Sequence, residues 1–173
     1  MRAGHHISSA LISTVRDESH PYPCFGGNGL RGYVAQYNID GDCLLIGRQG
    51  ALCGNVTRAT GKLYATEHAV VTKVKQETDL GFLYHTLVNR DLNQYKSAGA
   101  QPGLAVGKLS EVEIPVPSLE NQQRIVDILD RFDALTTSLT DGLPAEIAAR
   151  RQQYEFYRDR LLSFPRKTTE EVA

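Results

Sequence analysis

Two glycine-flanked stretches carry the side chains best suited to recognising a flat, hydrogen-bonding partner. In Gly47-Arg48-Gln49-Gly50 an arginine and a glutamine sit between glycines. Arginine and glutamine make two-pronged hydrogen bonds with guanine and adenine edges. In Phe25-Gly26-Gly27-Asn28-Gly29-Leu30-Arg31-Gly32-Tyr33, glycines occupy four of the positions from 26 to 32, and Arg31 and Tyr33 project from the run. Such a loop lets backbone N–H groups approach a ligand closely. Gly99-Ala100-Gln101-Pro102 offers another glutamine on a loop. The same stretches also read as tight hairpin turns with solvated polar tips.

Reaction chemistry is not assembled. The sequence has no Gly-x-x-x-x-Gly-Lys-Ser/Thr phosphate loop, and Gly26-Gly27-Asn28-Gly29 lacks dinucleotide-fingerprint spacing. No His-Glu-x-x-His or Cys/His spacing supports a metal site. His5-His6 reads as part of a disordered N-terminus. Glu67-His68 could be an acid–base pair, but it reads better as a hydrogen-bonded strand start. Cys24, Cys43 and Cys53 lie among apolar residues or glycines and read as small buried residues. We therefore expect a non-enzyme with no cofactor and no metal.

Composition sets the frame for these residues. The 173-residue chain is 41% hydrophobic and 23% charged, enough for a core and too apolar for a disordered tail. Its 19 Lys+Arg against 20 Asp+Glu give a net charge of -1, which excludes a binder of polyanions by charge alone. Three sparse cysteines and no apolar leader segment suggest reduced thiols in a cytoplasm. No apolar run reaches the ~18 residues of a membrane span.

The elements fall into two regimes with a boundary near residue 117. Fourteen of the 15 glycines precede it, and only Gly142 follows. In front, residues 32–37, 43–46, 55–58 and 68–74 read as short strands bounded by Gly, Asn or Asp. Asp79 caps a helix over 79–92 that buries Leu80, Leu83, Leu87 and Val88, and 96–103 reads as a loop. Ile114-Pro115-Val116-Pro117 ends sheet pairing. Behind it, Ile125, Ile128, Phe132, Leu135 and Leu139 recur at alternating steps of three and four, as in a coiled-coil seam. Leu143, Ile147, Arg150, Tyr154, Tyr157, Leu161 and Phe164 continue it after a break at Gly142 and Pro144, which predicts two helices or one kinked helix. The expected class is α+β: a small mixed or antiparallel β-rich domain, then long coiled-coil-forming helices. The same seam also fits an amphipathic helix packed on its own domain.

These segments resemble a known family. Tyr22 to Gly29, Gly47 to Ala51, Thr66 to Ala69 and Gly99 to Leu104 look like the target-recognition domain of type I restriction–modification specificity subunits. The strongest likeness is Pro117-Ser118-Leu119-Glu120-Asn121-Gln122-Gln123-Arg124-Ile125 onward through Gly142-Leu143-Pro144 to Arg158, which resembles the family's helical spacer. The resemblance implies a non-catalytic subunit that selects the double-stranded DNA sequence at which modification (methyltransferase) subunits act and, indirectly, a restriction subunit. It also implies three regions: a recognition domain at 1–117, a helical spacer at 118–164 and a flexible tail at 165–173. Family members usually carry two recognition domains and two spacers; this chain has one of each, so we expect an antiparallel homodimer reading a palindromic split site. The alternative is an assembly module that reads no DNA; the family also usually has more residues ahead of the equivalent of Tyr22. The expected base or phosphate contacts are Arg31, Arg48, Gln49 and Gln101, then Asn28, Tyr33, Arg58 and Lys62. Ile128, Phe132, Leu135, Tyr154, Tyr157 and Leu161 are the expected dimer and partner residues.

Overall fold

The computed structural model describes residues 1–50, 52–75, 77–97 and 102–162; within the last helix, the side chains of 137–142, 144, 145, 148, 149, 159, 161 and 162 fall outside the description. Gln101 and the tail expected at 165–173 lie outside the described residues. In chain order the strands are β1 (Arg2–Ala3), β2 (Tyr22–Gly26), β3 (Gly29–Val34), β4 (Cys43–Gly47), β5 (Val56–Ala59), β6 (Tyr64–Ala65) and β7 (Ala69–Thr72). The helices are α1 (Leu80–Asn89), α2 (Val106–Ser110) and α3 (Leu119–Leu162). The class is α+β, as expected. Two compact units divide the chain, Met1–Asp127 and Ile128–Ala173.

β4 shows why the first unit folds as it does. Side chains alternate across a strand. Leu44 and Ile46 enter one core with Val56, Val70, Leu83, Leu87 and Leu104. Cys43 and Leu45 enter the opposite core with Ala59, Leu63, Ala65 and Val71. Both faces are covered, so the strand reads as a continuous apolar run. Each buried Leu, Ile or Val contributes about 1.5–3 kcal/mol. β4 lies inside an antiparallel sheet of order β1-β7-β4-β5. A second sheet has order β3-β2-β6, with β2 antiparallel to β3 and parallel to β6.

Several expectations need correction. The N-terminus is ordered: Arg2 and Ala3 pair with Val71 and Val70, and His5 N–H donates to the Ala65 carbonyl at 3.0 Å. Buried β7 offers a free strand edge there, and no short-range pattern announces the match. β2, β6 and α2 lie in stretches where no strand or helix was expected. The strand expected at 32–37 is instead β3, which starts at Gly29 and stops at Val34. α1 is capped by the Asp79 side chain, which accepts from Phe82 N–H at 2.9 Å. It ends at Asn89 rather than 92, because Asp91 takes a left-handed conformation, φ 46°. Val88 is 51% exposed, since it lies about 100° around the helix from Leu87 and off the apolar stripe.

α3 is one helix of 44 residues, not two. Pro144 has no N–H to give the preceding turn, yet Ala145, Glu146, Ala148, Ala149 and Arg150 are strong helix formers and the helix continues through it. Its first turns belong to the first compact unit, which runs ten residues past the boundary expected at 117. Gln122 is fully buried. Its Nε2 donates to the Glu77 and Pro117 carbonyls at 3.0 and 2.8 Å, and its Oε1 accepts from Asp79 N–H at 2.7 Å. That set of bonds fastens the start of α3 to the start of α1.

Candidate nucleic-acid interface

Three chain segments converge where the two sheets meet. The first is the β2–β3 hairpin tip, Gly27-Asn28, closed by Gly29 at φ +84°, a left-handed conformation that favours glycine. The second is 47–50 at the end of β4. The third is Thr66-Glu67-His68, which links β6 of one sheet to β7 of the other. Their backbones touch. A Cβ on Gly27 would stand 3.0 Å from the Gln49 carbonyl oxygen and 3.3 Å from that of His68, and one on Gly47 would collide with the Gly27 carbonyl. The glycines noted in the sequence therefore allow segment-to-segment packing as well as turning.

The convergence leaves a concave notch of ≈ 500 Å³. Asn28, Arg31, Gln49 and His68 line it, between Gly26, Gly27, Gly29 and Gly50. Asn28 and Arg31 were expected as contacts from one glycine-rich stretch and Gln49 from another, and the fold brings all three to one surface. The notch presents amide donors and acceptors, a guanidinium and an imidazole, the groups that pair with planar base edges and phosphates.

Arg48 points elsewhere. Its Nε donates to the Leu104 carbonyl at 3.2 Å and its Nη1 to the Glu67 carbonyl at 3.3 Å. Its backbone N–H donates to the His68 carbonyl at 2.8 Å, and its carbonyl accepts from Leu104 N–H at 2.8 Å. Arg48 thus ties 66–68 and 103–104 to the end of β4. Gln49 bridges to Gly103, two residues beyond the undescribed Gln101. Tyr33, on β3, exchanges backbone hydrogen bonds with Ser13. Arg58 lies on β5, its guanidinium 4.2 Å over the Tyr84 ring and its Nη2 2.9 Å from His85 Nε2. Lys62 sits 4.8 Å over the Tyr37 ring. None of Arg48, Tyr33, Arg58 and Lys62 lines the notch.

His68 lines the notch without having been expected as a contact; its signals were adjacency to Glu67 and its place in the Thr66 to Ala69 segment. Glu67 Oε1 lies 3.2 Å from His68 Nε2 and 3.0 Å from His6 Nδ1. Burial works to raise the Glu67 carboxyl. The hydrogen bond from His6, the residue's own backbone amide and the neighbouring imidazoles outweigh it and hold the group below the ordinary carboxylate range. The cysteines are all buried, as expected. Burial pushes the Cys24 and Cys43 thiols up, away from nucleophilic thiolate.

α3 carries the second candidate surface. Along the seam Ile128, Phe132, Leu135, Tyr154 and Tyr157 are exposed, Phe132 at 61% and Tyr154 at 65%. Leu161 is helical, with its side chain outside the description. No helix among the described residues is long and apolar enough to cross a membrane.

Comparison with known proteins gives these surfaces a context. Residues 12–149 match the type I restriction modification DNA specificity domain. The specificity subunit of the Escherichia coli type I restriction enzyme EcoprrI is 57% identical over 141 residues, covering 82% of this chain and 35% of that protein. The E. coli EcoR124I/EcoR124II specificity subunit is 46% identical over 92 residues, covering 51% of this chain and 23% of its own length. The chain thus spans about a third or less of these relatives. Among solved structures, the S subunit of a type I restriction–modification system from M. genitalium superposes with TM-score 0.67 at 21% identity, covering 91% of this chain and 42% of that one. That likeness is one of fold.

Proposed function

This chain belongs to the type I restriction–modification DNA specificity family, and we propose that it is the non-catalytic reader that selects the DNA sequence on which modification subunits act. The convergence of Asn28, Arg31 and Gln49 in one notch carries this reading. Gln49 suits a two-pronged contact with adenine, Arg31 one with guanine or a phosphate, and the glycine-rich tip lets backbone N–H groups reach the phosphate chain. Gln101 is a further reader, placed in sequence beside the Gly103 that pairs with Gln49. Arg48 is a positioning residue, because its guanidinium is already engaged by two carbonyls on different segments. Tyr33, Arg58 and Lys62 serve the frame or peripheral phosphate contacts.

The exposed α3 seam pairs two copies antiparallel in this reading. Its positions are nearly symmetric about Leu143. Antiparallel pairing sets Leu139 opposite Ile147, Leu135 opposite Arg150, Phe132 opposite Tyr154, Ile128 opposite Tyr157 and Ile125 opposite Leu161. A 44-residue helix is about 66 Å long at ~1.5 Å per residue. One DNA turn is about 34–36 Å, so such a rod holds two recognition domains one to two turns apart, over a palindromic split site. The helices also dock the modification subunits.

The test is selection of duplexes from a mixed-sequence pool by the full chain with modification subunits, at low salt. Recovery of one split, symmetric sequence supports the proposal. Retention of the complex without any sequence preference leaves an assembly module and contradicts it.

A further inference from the structure

The Thr66-Glu67-His68 link is gripped by two segments. From the end of β4, Arg48 N–H donates to the His68 carbonyl at 2.8 Å and Arg48 Nη1 to the Glu67 carbonyl at 3.3 Å. The other grip comes from residues 4–6. Gly4 N–H donates to the Ala69 carbonyl and His5 N–H to the Ala65 carbonyl, both at 3.0 Å, so this segment bonds the residue on each side of the link. The approach is close, because a Cβ on Gly4 would collide with the carbonyl oxygens of Ala65 and Thr66. The His6 carbonyl accepts from the Tyr64 hydroxyl at 3.1 Å, and its ring Nδ1 donates to Glu67 Oε1 at 3.0 Å. The same carboxylate oxygen lies 3.2 Å from His68 Nε2.

One ring contact would leave the Glu67 carboxylate free to turn, since its side chain is 33% exposed. Two ring donors on one oxygen hold it, and it in turn holds the His68 ring, which lines the notch. Burial works to raise the Glu67 carboxyl, and the His6 hydrogen bond leads the contacts that outweigh it. His6 does not line the notch; with Tyr64 and Val34 it borders a separate cleft. Its route to the notch runs through Glu67.

Resting on the DNA-reading proposal, we propose that His6 is a positioning residue of the notch: by fixing the Glu67 carboxylate it holds the His68 ring in one orientation within the lining it shares with Arg31 and Gln49. A lining ordered beforehand loses less side-chain freedom when the matched duplex seats. A mismatched duplex engages the readers poorly and gains less from that order. His6 thus sharpens discrimination rather than adding affinity for DNA in general. Its side chain is 79% exposed, so its removal opens no cavity and leaves the fold intact.

The experiment uses the full chain with modification subunits, a duplex that the wild-type complex recovers from a random pool, and the same duplex with one base pair changed. Fluorescence anisotropy at one pH and one salt concentration gives the ratio of the two affinities, and thermal melts confirm folding. His6→Ala should lower the ratio about three-fold, the low end of coupling between hydrogen-bonded neighbours, with the loss on the recovered duplex and an unchanged melting temperature. His6→Asn, whose amide nitrogen replaces Nδ1, should restore the ratio, and His6→Gln, whose amide nitrogen replaces Nε2, should not. If His6 acts through Glu67, adding His6→Ala to Glu67→Ala should change nothing further. An unchanged ratio in folded His6→Ala, equal losses on both duplexes, or losses that add in the double variant would each overturn this inference while leaving DNA reading intact. Recovery of no sequence by the wild-type complex overturns the DNA reading itself, and this role with it.

Discussion

Arg48 and Gln49 are neighbours in sequence with different uses. Gln49 opens on the notch, while Arg48 bonds the carbonyls of Leu104 and Glu67. Their substitutions should part accordingly. Gln49→Ala should cost about 1–3 kcal/mol on the selected sequence and little on others, as loss of a base contact does. Arg48→Ala should weaken binding to all sequences alike and also lower the melting temperature. Titration against matched and mismatched duplexes, beside calorimetric melting, checks both. Asn28, Arg31 and Gln49 were legible as candidates because they stand in glycine-rich runs, and the fold places them around one notch. The engagement of Arg48 was not, since its acceptors lie at positions 67 and 104. His68 escaped for the same reason: the Glu67 that holds it also binds His6, 61 residues away.

The perturbed residues also set how stability follows pH. Glu67 and the exposed Asp17 are held below the ordinary carboxylate range, Glu67 against its own burial and Asp17 mainly by the His20 amide and ring. Their stabilisation is present above the ordinary carboxylate range and is lost as pH falls through their depressed values. Cys24 and Cys43, raised by burial, act in the opposite direction: their contribution is complete below the ordinary thiol range and is lost as pH climbs through the raised values. Urea melts should thus show a plateau near neutrality falling off at both ends. Native protein should react with a thiol reagent only as fast as it opens.

Among the elements, Asp79 and the leucine spacing announced α1, and β4 and β7 were legible as short apolar runs because both of their faces are buried. The paired N-terminus was hidden because two residues carry no periodicity. Gln122 looked like one polar residue among several at a helix start, yet it satisfies the backbone of both helix origins. Gln122→Ala strands those partners and should destabilise the first unit by about 3 kcal/mol, read by urea melts of the full chain. Pro144 misled more instructively. A proline inside a helix usually costs about 3 kcal/mol, but strong formers on its C-terminal side sustain α3. Pro144→Ala should raise helicity by circular dichroism and leave sequence selection unchanged.

For the whole molecule, the near-neutral charge sets how a DNA reader of this kind would meet its duplex. Residues 1–117 carry 11 Lys+Arg against 10 Asp+Glu, and 118–173 carry 8 against 10. A chain so balanced should bind DNA weakly by itself, with a shallow dependence on salt that steepens when modification subunits close around the duplex. The exposed seam of α3 should make it dimeric in light scattering at micromolar concentration, and Phe132→Glu should give a monomer. If this chain chooses the sequence, methylation profiling of its host should find one split, symmetric, adenine-methylated sequence that vanishes when the chain is deleted and changes when Gln49 and Arg31 are substituted. The same methylated sequences with and without the chain would contradict it.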